Sequence, residues 1–131
     1  MLNVEFLIFN AGTMKQNVVL EKSFDFSPMI IKLYQHLIDQ KEFVISRQLL
    51  RSATSIGANV NESTAAQTKK DFILKMSLAS KEARETMYWL LLLEKSQLVK
   101  KDYQPFIVKA EELTRLLTAI VKTAQQNVSP H

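Results

Sequence analysis

The sequence predicts an all-α fold, an antiparallel up-and-down four-helix bundle, and three observations carry that expectation. Only two glycines and three prolines punctuate 131 residues, while Leu, Ala, Lys, Glu and Gln are abundant. That composition suits long helices and not a turn-rich sheet. Apolar residues recur every three or four positions in four segments, roughly 28–41, 44–64, 68–96 and 102–126. At ~1.5 Å per residue the last two would be about 40 Å long and the second about 30 Å, and rods joined by a few residues fold back on one another. The length fits one domain with one hydrophobic core, here residues 14–131, with no repeat, low-complexity tract or linker.

Residues 1–13, MLNVEFLIFNAGT, have no positive n-region and carry Glu5 inside their apolar run, so they make a poor signal peptide. They read as a floppy or weakly extended arm, or as an over-long start upstream of an initiator at Met14. Ser27-Pro28 resembles an N-cap followed by proline at the first helical position, where its missing N–H costs nothing. Ile30, Leu33, Tyr34, Leu37 and Ile38 then form the first apolar face. The second helix holds LLRSATSIGANVNES, residues 49–63. Thr68 and Asp71 form a capping box, with Asp in the Glu place, that opens the third helix. Its stripe is Phe72, Met76, Ala79, Ala83, Met87 and Leu90. Asp102 caps the fourth, which tolerates Pro105 in its first turn, and Phe106, Ala110, Leu113, Leu117, Ile120 and Ala124 face inward.

With no cysteine, disulfides, thiolate metal sites and cysteine nucleophiles are excluded, and a reducing cytoplasm is the simplest home. His36 and His131 are the sole imidazoles, too few for a histidine metal site or a triad, and no cofactor is expected. The longest apolar run, Trp89 to Leu93, is far short of the ~20 residues that span a bilayer, so no membrane association is expected. A net charge of +4 and a pI near 9.4 permit binding to nucleic acid without demanding it.

Placed at ~100° per residue, residues 49–63 sort into two faces. Leu49, Leu50, Ala53, Ile56, Gly57 and Val60 share an arc of roughly 120°, an ordinary core face. Arg51, Ser52, Ser55, Asn59 and Glu62 occupy another arc of about 100°. A solvent face is normally filled with Lys, Glu and Gln. Short polar residues here cost roughly 3–4 kcal/mol of helix propensity in total, so tertiary packing must offset the loss. The helix is therefore expected to be packed on more than one side, with Arg51 and Glu62 each needing a partner on another helix or another subunit. Catalysis fits poorly. No G-x-S-x-G elbow, phosphate-binding glycine loop or base near a serine is present, so no catalytic residue is expected.

SRQLLRSATSIGANVNES followed by TKKDFILKMSLASKEARETMYWLLLLEK closely resembles the four-helix bundle family named after intervening sequences of 23S ribosomal RNA. The likeness covers about Met14 to Thr123 and departs at Ser63, where many members carry glycine. The resemblance implies an up-and-down bundle that assembles as a homopentamer. Related members are accessory proteins of diversity-generating retroelements, basic barrels that bind nucleic acid and a reverse transcriptase.

MYWLLLL, residues 87–93, is apolar all round its helix, so Met87, Tyr88, Trp89 and Leu92 are candidate oligomer contacts, the alternative being a core-lining segment. Glu82 and Glu85, at i and i+3, lack a histidine for metal binding. On the family pattern, one of them is the expected partner of Arg51. Arg47, Lys69, Lys70 and Lys75 are expected near the second connection, and Lys95, Lys100 and Lys101 at the opposite end. Repeated five times, +4 becomes about +20, which could hold phosphate with little base readout. The expected function is a non-enzymatic homopentameric scaffold that binds RNA or DNA nonspecifically, beside a reverse transcriptase or other protein. The alternative is an assembly module with no nucleic-acid role.

Overall fold

The computed structural model describes the backbone of residues 4–127 and the side chains of residues 14–127. Four helices make up the fold: α1 (Val4–Asp39), α2 (Ile45–Ser63), α3 (Lys69–Ser96) and α4 (Gln104–Gln126). Each packs on its neighbour in sequence, and α4 returns to α1, while among the described residues the backbones of the diagonal pairs stay more than 8 Å apart and meet only through the shared core. Cross-helix contacts give the directions. Glu62 meets Lys75 and Arg51 meets Glu85, so α3 runs back along α2. Gln104 reaches Glu94, and Lys69 reaches the Asn127 carbonyl, so α4 runs back along α3. Gly57 lies against Ser23, far from the 40–44 connection, so α2 runs back along α1.

The first helix differs most from expectation. It begins at Val4 and not at residue 28, and the arm expected over residues 1–13 is helical backbone from Val4 onward, residues 1–3 lying outside the described residues. Pro28 sits in its interior. Val19, Ser23 and Phe26 continue the spacing of Ile30, Leu33 and Leu37 and are buried with them. Packing of those upstream residues outweighs the hydrogen bond that proline forfeits. Ser27 caps nothing: its hydroxyl donates to the Ser23 carbonyl at 3.4 Å.

The other boundaries lie close to those expected. Thr68 accepts from the Asp71 N–H at 3.1 Å, closing the expected cap of α3. Asp102 is displaced by one place: Tyr103 is the N-cap residue of α4, and the Asp102 carboxylate accepts from the Gln104 N–H at 3.0 Å. Tyr103 is buried, its hydroxyl donating to the Val99 carbonyl at 2.7 Å, and burial raises its pKa. An unforeseen cap opens α2. The Glu42 carboxylate accepts from the N–H groups of Val44, Ile45 and Ser46 at 3.2, 2.9 and 2.6 Å. Burial pushes the Glu42 carboxyl up, but the three backbone donors outweigh it and hold the group below its ordinary value.

Two connections turn through left-handed residues that are not glycine, Lys41 at φ 66° and Gln97 at φ 48°. The core runs the length of the bundle, with Leu37, Leu49, Ile56, Leu90, Leu93 and Leu117 among its fully enclosed side chains. Among the described residues, no buried side-chain polar atom lacks a hydrogen-bond partner, and no helix is long and apolar enough to cross a membrane.

Candidate functional site

The polar arc of α2 faces α3. Arg51 meets Glu82 at 3.3 Å through Nη1 and meets Glu85 through Nη2. Both candidate carboxylates are therefore engaged, because i and i+3 on α3 lie one above the other beside α2. The Glu85 oxygen that receives Arg51 also accepts from Trp89 Nε1 at 3.0 Å. Tyr88 stacks edge-on against Trp89 with ring centroids 5.0 Å apart.

Deeper in the seam, Thr86 Oγ1 lies 2.9 Å from Ser52 Oγ and 2.8 Å from the Glu82 carbonyl. Both residues are fully buried. Thr86 escaped the sequence reading because a lone threonine in an apolar stripe carries no signal of its own; its partner across the seam supplies one. Ser55 and Asn59 turn inward on α2 itself, donating to the carbonyls of Arg51 at 2.7 Å and Ser55 at 2.9 Å. They join no other helix, since an i−4 carbonyl is within reach of a short side chain. Glu62 pairs with Lys75 at 2.8 Å, which raises the Lys75 pKa. Arg51 and Glu62 thus find their partners on α3 of the same chain. On its other flank α2 meets α1 closely at Gly57, where an added Cβ would lie 3.3 Å from the Ser23 carbonyl oxygen.

The basic candidates divide differently from expectation. Arg47 lies in the first turn of α2, at the end of the bundle that carries Lys95, Lys100 and Lys101, and not beside Lys69, Lys70 and Lys75. Residue 47 lies a whole antiparallel helix away from the 64–68 connection. Lys69 donates to the Asn127 carbonyl at 3.0 Å and Lys75 is tied to Glu62. Among the described residues, Arg47, Lys70, Lys95, Lys100 and Lys101 are exposed and form no ion pair.

MYWLLLL divides between core and surface. Met87 and Trp89 pack against the core and Leu92 is half-buried, while Tyr88 is 58% and Leu91 46% exposed. Leu74 and Leu78 continue the exposed row toward the start of α3. Between α1 and α4 lies a groove of about 460 Å³, floored by Val18, Phe26, Met29 and Leu113. Lys22 and Glu112 bridge it at 2.7 Å. Their hydrogen bond raises the pKa of Lys22 and lowers that of Glu112. Among the described residues no cluster of His, Asp and Glu could hold a metal ion, and His131 lies outside them.

A buried hydroxyl pair and an arginine clamping two carboxylates tie α2 to α3 along the stretch that bears the resemblance, and an indole N–H of α3 holds one of those carboxylates. The sequence profile of the 23S rRNA-intervening sequence proteins matches residues 15–119. The chain belongs to the 23S rRNA-intervening sequence protein family. A solved relative is a protein of unknown function from the S23 ribosomal protein family of Bacteroides thetaiotaomicron VPI-5482. It is 46% identical, with a TM-score of 0.78 over 82% of this chain and 98% of that one. Comparison with curated proteins gives no match. The 23S rRNA-intervening sequence protein profile starts at residue 15, eleven residues into α1, and spans the whole polar seam.

Proposed function

We propose that this family member is a non-catalytic scaffold that assembles from several copies, five on the resemblance, and holds RNA or DNA by its phosphates. One observation supports the nucleic-acid reading above others: five exposed cations, Arg47, Lys70, Lys95, Lys100 and Lys101, have no ion pair among the described residues. Unneutralised cations at the ends of the bundle, on helix termini and on the 97–103 connection, suit a diffuse phosphate backbone. No groove-entering recognition motif accompanies them, so little sequence preference is expected. The serines that could suggest chemistry, Ser52, Ser55 and Ser63, spend their hydroxyl protons on carbonyls of their own helix.

The test is fluorescence anisotropy of a labelled oligonucleotide against a salt series. Binding that weakens steeply as salt rises, equally for unrelated sequences, is expected. Absence of binding at low salt would remove the reading. The exposed row of α3 favours a second reading, an assembly module whose charge keeps it dispersed. A reverse transcriptase or another protein as partner remains a proposal drawn from the resemblance.

A further inference from the structure

We propose that the outer row of α3 in one copy seats in the α1–α4 groove of a second copy, head to tail, with Lys81 and Arg84 facing Glu21 and Asp25. This rests on the self-assembly proposed above and names the two surfaces that would carry it.

The row comes first. Leu74, Leu78, Tyr88 and Leu91 are exposed on the side of α3 away from Met76, Ala79, Ala83 and Leu90, which fill the core. At ~1.5 Å per residue they extend for about 25 Å, a length that calls for a long complementary groove. Phosphate would leave these side chains in water, whereas an apolar groove would cover them.

The α1–α4 groove has the matching chemistry. Its floor is Val18, Phe26, Met29 and Leu113; Glu21, Asp25 and Lys109 stand on its rim, and the half-exposed Lys22–Glu112 pair that spans it would have to swing aside to admit the row. Charge favours the pairing. The residues that line the groove carry three carboxylates, Glu21, Asp25 and Glu112, against two lysines, Lys22 and Lys109, whereas six basic residues against four acidic leave α3 two positive. Glu82 and Glu85 are already committed to Arg51, so the face that α3 turns outward is more basic still. Lys81, Arg84, Glu21 and Asp25 are all exposed and form no ion pair among the described residues.

A symmetric contact of α3 with α3 would set Lys81 and Arg84 against their own copies. The groove sets them against carboxylates instead. Because the two surfaces differ and lie on different helices, each copy offers one of each, and successive contacts close into a ring when their rotation permits.

Three charge-reversal variants of the full chain test the contact: Lys81→Glu with Arg84→Glu, Glu21→Lys with Asp25→Lys, and all four together. Mass is read by light scattering and helix content by circular dichroism. Each double variant is expected to fall toward the 15.0 kDa monomer and the fourfold variant to recover the wild-type mass. Should a double variant lose helical signal, Leu74→Glu takes its place, with a fall in mass expected and an unchanged mass overturning the contact. A groove variant that keeps the wild-type mass, or a helical fourfold variant that stays monomeric, overturns it too. An α3 double variant that loses oligonucleotide binding at unchanged mass makes the row a nucleic-acid surface and also overturns it. A wild-type oligomer untouched by either double removes this contact and leaves self-assembly standing. A wild-type monomer at every concentration removes both.

Discussion

Ser52 and Thr86 share one buried contact, and neither hydroxyl has water as an alternative. Ser52→Ala should cost about 1 kcal/mol in urea unfolding, the usual net worth of such a hydrogen bond. Arg51→Met should cost less than about 1 kcal/mol, because the Arg51 side chain is 47% exposed and exposed ion pairs are weak. Glu85 keeps the Trp89 N–H in that variant. Gly57 sets a different balance. Alanine would regain ~1 kcal/mol of helix propensity, but its Cβ would crowd the Ser23 carbonyl at 3.3 Å. The two should cancel to within about 0.5 kcal/mol, whereas Gly57→Val should lose about 2 kcal/mol or more by overpacking. Comparison of urea midpoints separates these cases.

The ends of the helices make predictions at the element scale. Lys41 holds a left-handed turn where a side chain is strained. Lys41→Gly should therefore stabilise the fold by about 1 kcal/mol in urea. Glu42 gives a pH signature. Its carboxyl is depressed in the folded chain, so its contribution is present above the unfolded pKa and lost as pH falls through the lower folded value. Stability should decline on acidification below about pH 4.5, and Glu42→Gln should flatten part of that decline while costing about 1 kcal/mol at neutral pH. Glu112, lowered by its hydrogen bond to Lys22, supplies a second part with the same sign. For α1, a chain beginning at Ser27 should fail to give a cooperative transition, because Val19, Ser23 and Phe26 are integral to the core.

For the molecule as a whole, charge placement decides binding. Lys100→Glu with Lys101→Glu should weaken oligonucleotide binding and lower the slope of log affinity against log salt by about 2. Urea stability should change little, since neither residue is buried or ion-paired among the described residues. An unchanged salt slope would move the nucleic-acid surface away from this end of the bundle.

The sequence by itself determined the four helices, three of their starts to within two residues, the inward stripes of α2, α3 and α4, and the polar arc of α2. Each follows from local periodicity or from a cap three residues long. Pro28 misled for the same reason: locally it is a good helix start, and only the burial of Val19, Ser23 and Phe26 against the other helices carries α1 through it. Tertiary structure alone decided that Arg51 takes both Glu82 and Glu85, that Ser52 meets Thr86, that Glu62 draws Lys75 out of the basic set, and that Arg47 belongs with Lys95. Periodicity shows which residues share a face, but the rotation and level at which two helices meet are set by how their whole surfaces interlock. For that reason the α2 arc was legible in the sequence and its partners were not.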